Sequence, residues 1–239
     1  MRRTRIGVLA SGGGSNLQAI LDHLAALGDA RCGDVVLVAS NRPDAGALSR
    51  ASRAGIAREV LRSPHAPTGN DVGAVLDEHG IELVALAGYM RLVPGEVTAA
   101  YRGRMLNVHP ALLPDFGGPG MYGARVHRAV VRAGVPFSGP SVHFVDEVYD
   151  HGAVIAQWPV PVLPRDDDRT LAARVLRAEH VLYPRVVNAV AGGEARLGED
   201  GRVVSTRFRQ PRLPTMDPEL DDRALAASLD RTLGLPALG

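Results

Sequence analysis

Short apolar runs, separated by stretches of helical length and spacing, constrain this chain more than any other feature. Residues 6–10, 35–39 and 83–87 are rich in Val, Leu and Ala and bounded by turn residues. That is the pattern of parallel strands buried on both faces. Between them, residues 17–27 and 45–55 carry apolar positions at helical spacing, and Gly28 and Gly55 sit where a helix ends. The alternation predicts an α/β fold: a doubly wound, mostly parallel, Rossmann-like sheet. The 239 residues are enough for one well-filled domain of this kind.

The second half changes character. Met105–His109 continues the strand pattern and then meets Pro110, and residues 114–123 hold four glycines and two prolines, a loop. Residues 126–133 read as a short helix, and 141–145 and 153–162 as two strands joined by the acidic stretch 146–152. Residues 168–190 form a long amphipathic pattern with Asp167 or Asp168 as N-cap. After Gly192 the pattern weakens; Pro211, Pro214 and Pro218 mark a connector, and residues 221–233 read as a terminal helix. The chain thus divides into a main domain, residues 1–195, and a C-terminal extension, residues 196–239, without an assigned role.

Composition excludes several chemistries. All 27 basic residues are arginine, so Schiff-base catalysis, pyridoxal attachment and a P-loop lysine are impossible. The 26 acidic residues bring the net charge to +1, which offers no field for nucleic acid or a membrane surface. Cys32 is the one cysteine, leaving no disulfide and no cysteine-rich zinc site, and the histidines show no metal-ligand spacing. No metal is expected. The apolar run after the basic start ends at Ala10, and nothing approaches 18 apolar residues. A cytoplasmic location is therefore expected.

Three constellations carry chemistry. Ser11-Gly12-Gly13-Gly14-Ser15-Asn16 follows the first strand and opens the first helix. Glycine lets a phosphate approach the backbone N–H groups there, at the positive end of the helix dipole. A plain tight turn with Ser15 as N-cap is the alternative. The spacing misses G-x-G-x-x-G and no acidic residue follows near position 36, so a monophosphate is favoured over a dinucleotide. Asn107 and His109, two apart at the end of a strand, share one side and could hold a carbonyl oxygen as it becomes an oxyanion. Third, residues 146–152 are either a carboxylate supply for His109 or a solvated acidic turn.

These segments resemble the folate-dependent phosphoribosylglycinamide formyltransferases. The likeness runs over residues 4–195 through five blocks in order: 11–16, 86–92, 106–114, 141–150 and 174–184. It implies a formyltransferase fold for residues 1–195 and transfer of the formyl group of 10-formyltetrahydrofolate, a co-substrate, to the amine of glycinamide ribonucleotide. It implies Asn107, His109 and Asp150 as catalytic residues, Asp150 keeping His109 charged and oriented. Gly14, Ser15, Asn16 and Glu179 would hold the ribonucleotide. Met90, Arg91, Leu92, Val93, Asn107, Asp146 and Asp150 would hold the folate. The partners are small molecules, the assembly a monomer or homodimer.

Two stretches depart from the family pattern. The loop from Pro114 to His127 is longer, and residues 64–72 are shorter and lack an arginine that contacts folate in other members. His127 itself reads as a surface or supporting residue. Among rival readings, a formyltetrahydrofolate deformylase is expected to carry a domain ahead of the first strand. A tRNA formyltransferase is expected to need a basic C-terminal domain, and a sugar-nucleotide formyltransferase lacks the phosphate turn. A non-catalytic nucleotide-binding module leaves Asn107, His109 and Asp150 unexplained.

Overall fold

A computed structural model describes residues 2–62 and 72–236; the departure at residues 64–72 lies almost wholly outside them. The elements run β1 (Thr4–Leu9), α1 (Ser15–Leu27), β2 (Gly33–Ser40), α2 (Gly46–Arg53), β3 (Ala57–Val60), α3 (Val72–Glu78), β4 (Leu83–Leu86), α4 (Gly95–Ala100) and β5 (Met105–His109). There follow α5 (Ala124–Ala133), β6 (Phe137–Ser138), β7 (Ser141–Phe144), β8 (Val154–Gln157), β9 (Val160–Pro161), α6 (Asp168–Ala191), β10 (Ala195–Leu197), β11 (Val203–Ser205) and α7 (Asp222–Leu233).

Seven strands form one sheet in the order β3-β2-β1-β4-β5-β7-β8. The first five are parallel, and β7 and β8 add antiparallel. After β3 the chain returns to the other side of β1, which opens the crevice between the carboxyl ends of β1 and β4 where such sheets bind ligands. The apolar runs are continuous because each strand feeds two cores. In β4, Leu83 and Ala85 join the cluster beneath α1, α5 and α6, while Val84 and Leu86 join the one beneath α3 and α4. Tyr183 of α6 ties the larger core to the strand ends: its hydroxyl lies 3.0 Å from the Leu86 carbonyl oxygen and 3.2 Å from that of Leu106.

The structure departs from the pattern in three places. The predicted strand over 153–162 breaks at Trp158 and Pro159 into β8 and β9, and β9 pairs with β6 in a separate ribbon. Pro159 has no donor for a ladder, and Gly139 comes so close that a Cβ there would lie 2.0 Å from the Trp158 oxygen. The short elements β3, α4, β10 and β11 carry too few periods to be read from sequence. Ser15 does not cap α1; Gly14, left-handed at φ 75°, takes that position with no side-chain cap.

The C-terminal segment packs into the same core as the sheet. Phe208, Leu213, Met216, Leu225, Leu229 and Leu233 are all buried in the larger cluster. Asp221 caps α7 by accepting from the Ala224 N–H at 2.7 Å. Arg185 of α6 meets Asp230 of α7 through two hydrogen bonds of 2.6 and 2.7 Å, both side chains nearly inaccessible.

Candidate active site

The turn after β1 is built by close backbone approach. A Cβ on Gly14 would lie 2.7 Å from the Ala47 Cα, and one on Gly46 would lie 3.1 Å from Gly13. Ala47 N–H donates to Gly12 oxygen at 3.1 Å, and the Arg50 guanidinium donates to Gly13 oxygen at 2.8 Å. With no side chain spent on capping, the first N–H groups of α1 stay available to an anion. Ser11 takes part differently: its hydroxyl accepts from Met90 N–H at 2.8 Å, joining the turn to the segment after β4.

A cavity of about 460 Å³ lies over the carboxyl ends of β4 and β5. Met90, Arg91, Leu92, Val93, Asn107, His109, Asp146, Asp150, Asn16 and Glu179 all line it; Gly14 and Ser15 do not. Asn16 donates to Glu179 at 2.7 Å across the interface of α1 and α6, while its own side-chain oxygen has no partner. Burial pushes the Glu179 carboxyl up to about 7, against the opposing pull of the Asn16 hydrogen bond and the His109 charge. Burial thus favours the neutral carboxyl more than at an exposed glutamate.

In the same cavity, three predicted residues meet. His109 Nδ1 lies 3.4 Å from Asp150 Oδ2, and Asn107 Nδ2 lies 3.4 Å from Asp150 Oδ1. Asp150 reaches them from a left-handed conformation at φ 54°, which an Asp tolerates better than most side chains. Burial pushes its carboxyl up, but the hydrogen bond and charge of His109, the Gly118 N–H and His143 outweigh it, and the carboxyl is held below its ordinary value. His109 Nε2 lies 2.9 Å from the Phe116 oxygen. Both ring nitrogens thus face oxygens that only accept.

Sequence reading missed three contributors. His143 pairs with Asn107 across β5 and β7, and its Nε2 lies 3.2 Å from Asn107 Nδ2. Its Nδ1 faces the Phe144 oxygen at 2.8 Å, so Nε2 is left as an acceptor. Burial lowers its pKa, against the Phe144 bond and the Asp150 charge, which keeps it neutral and in that role. Gly118 N–H donates to Asp150 Oδ2 at 3.0 Å, a contact from the longer loop. His127 is buried at 6 % exposure rather than on the surface, lines the cavity, and has an unpartnered Nδ1. The place of His143 inside the block 141–150, and the supporting alternative for His127, were the hints to these in the sequence. Among the described residues, no group of three or more His, Cys, Asp or Glu side chains is placed to hold a metal ion.

A doubly wound sheet with an amide, an imidazole and a carboxylate converging at its strand ends defines the site of an α/β enzyme. Residues 4–187 match the model of the formyl transferase family, and the chain belongs to that family. Within it, the chain is 42% identical to the chloroplastic phosphoribosylglycinamide formyltransferase of Arabidopsis thaliana over 207 residues, 84% of this chain and 70% of that protein. The crystal structure of phosphoribosylglycinamide formyltransferase from Anaplasma phagocytophilum superposes with a TM-score of 0.78 at 34% identity, covering 89% of this chain and 98% of that one. That of glycinamide ribonucleotide transformylase 1 from Symbiobacterium toebii gives 0.75 at 40% identity, covering 84% and 93%.

Proposed function

We infer that the chain transfers a formyl group to the amine of 5-phosphoribosylglycinamide in purine biosynthesis, with 10-formyltetrahydrofolate as donor. The observation that carries this reading is the meeting of Asn107, His109 and Asp150 in a cavity that Asn16 and Glu179 also line.

The residues fit both substrates. The turn at Gly14, Ser15 and Asn16 presents unspent N–H groups to a phosphate, and Glu179 stands where a ribose hydroxyl would follow. Met90 and Leu92, exposed at 54% and 42%, and Val93 offer an apolar strip for a flat pterin, with Arg91, Asp146 and Asp150 adding polar groups. A cavity of this size, mostly apolar with few polar groups, suits such a ligand.

In the reaction, the glycinamide nitrogen bonds to the formyl carbon, whose oxygen takes the negative charge. The Asn107 amide exchanges its long 3.4 Å contact with Asp150 for that oxygen. The charge of His109, held beside Asp150, stabilises the same oxygen, and its Nε2 proton, which rests on the Phe116 oxygen, passes to the departing N10 as that bond breaks, while the ring takes up the proton of the incoming nitrogen. His143 holds the Asn107 amide from behind. No covalent bond to the enzyme is required.

The reading includes a cytoplasmic location, in line with a single cysteine, and a monomer or homodimer. No described helix is long and apolar enough to cross a membrane. The test is release of tetrahydrofolate from the 10-formyl compound, followed by absorbance. Turnover that needs glycinamide ribonucleotide supports transfer; release without it supports hydrolysis, the deformylase reaction.

A further inference from the structure

The loop that covers His109 is held from a distance. Between Pro110 and Gly123 it contributes two groups to the site: the Phe116 oxygen on His109 and the Gly118 N–H on Asp150. Phe116 sits at φ 55°, a left-handed conformation that an aromatic residue adopts only when its surroundings impose it. The restraint is found three residues earlier. Leu113 N–H donates to the Ser141 hydroxyl at 2.9 Å, and the Leu113 oxygen accepts from the Gln157 amide at 2.8 Å. Both polar groups of that peptide residue are thereby fixed. The same Gln157 nitrogen lies 2.9 Å from the Ser141 hydroxyl, which in turn donates to the Ala111 oxygen at 2.6 Å.

Gln157 is itself pinned by the C-terminal segment. It ends β8, the edge strand of the main sheet. Its N–H donates to the Pro211 oxygen at 2.6 Å, and its carbonyl accepts from Leu213 N–H at 2.9 Å. Residues 211–213 thus lie along the edge like a short added strand, in a parallel bridge at Arg212. Because the Gln157 backbone bonds outward, its pairing with Ser141 on β7 is of the non-hydrogen-bonded kind, where facing side chains come closest. That geometry lets the Gln157 amide reach both Ser141 and Leu113.

We propose that Gln157 is a positioning residue for formyl transfer: its amide fixes Leu113, so that the strained Phe116 carbonyl stays on His109, and the C-terminal segment keeps Gln157 in place. This rests on the formyl-transfer reading above. It gives residues 211–213 a role in the site although they lie outside the cavity lining.

The test is the full-length Gln157→Met variant, which keeps side-chain length and removes both donors. It is assayed beside the unaltered protein at saturating 10-formyltetrahydrofolate and glycinamide ribonucleotide. A loop displaced by a fraction of an ångström misaligns His109 without emptying the substrate sites, so kcat falls about tenfold. Both KM values stay within about twofold. A merely structural role lowers the urea midpoint and leaves kcat of the folded protein unchanged; kcat within twofold of the unaltered protein overturns the proposal. If Gln157→Met does not fold, Ser141→Ala decides, since it cuts the second tether on Leu113: the same loss of kcat supports the proposal, and unaltered kcat overturns it. An unaltered protein that turns over neither substrate pair removes the formyl-transfer reading and the proposal together, whereas an active one beside a fully active variant removes the proposal alone.

Discussion

Two segments beside the cavity, the turn after β1 and the loop after β5, are held by different means. The turn from Ser11 to Gly14 is four residues long and packs its backbone directly on α2: Gly14 is left-handed, Ala47 leaves no room for a side chain, and the Ala47 N–H and Arg50 guanidinium bond to Gly12 and Gly13. The loop beyond Pro110 is held by side chains from β5, β7, β8 and Asp150. Gln157, Asp150 and His109 each take one of its backbone groups, and Ser141 takes two. A short glycine turn carries its geometry in close backbone packing. A long loop borrows its geometry from strands that reach it only after the sheet has formed, so its residues need no local signature.

Substitutions around each segment sharpen that contrast. The largest effect is expected from His109→Ala, which lowers kcat about 10³-fold, roughly 4 kcal/mol, with both KM values within a few-fold. A loss confined to KM would place His109 in binding only. Next comes Glu179, pushed up to about 7 from an ordinary 4.5 by burial. Its neutral form favours the fold, so its contribution is whole below about pH 4.5 and is lost as pH rises through 7. Unfolding free energy should fall by about 3 kcal/mol from this group between pH 4.5 and 8, and Glu179→Gln should flatten that fall in urea titrations. A slope unchanged in the variant would mean the carboxyl is not buried as described.

Gly14→Ala comes third. The added methyl meets Ala47 in a backbone conformation that favours glycine, at a cost of about 2 kcal/mol. If the turn holds the phosphate, the KM for glycinamide ribonucleotide rises roughly tenfold or more while the KM for the folate is unmoved. Equal effects on both would merge the two segments into one unit. The smallest effect lies behind the turn, on the outer end of α1. Burial, then the charge of Arg185, lowers His23 from 6.5 to about 4 against the pull of Asp230. Its contribution is present above pH 6.5 and lost as pH falls through 4. Thermal unfolding near pH 5 should show about 1 kcal/mol from this group, absent in His23→Gln, with kcat at neutral pH unchanged.

Much of the fold was legible because it rests on local repetition. Met105–His109 was read at its observed bounds, α6 to within one residue, and the sites of Gly14, Asn107 and His109 followed from strand ends and glycine. The resemblance added Asp150 and Glu179, which spacing alone does not join to the rest. Gly118 and Phe116 escaped both readings, and His143 entered only as a member of the block 141–150. Their roles come from the antiparallel register of β5 with β7 and from a backbone carbonyl and N–H that any residue type possesses.

The amino-acid sequence by itself determined the alternating strands and helices, the glycine turn and the chemical identity of the reacting groups, because periodicity, glycine sterics and side-chain chemistry are local properties. Only the tertiary structure decided that Asp150 stands 3.4 Å from His109 and that Glu179 is buried against Asn16. It also decided that a C-terminal segment with weak periodicity borders the edge strand that holds the active-site loop. These depend on which strands become neighbours, in what register, and on how far water is excluded from the space between them.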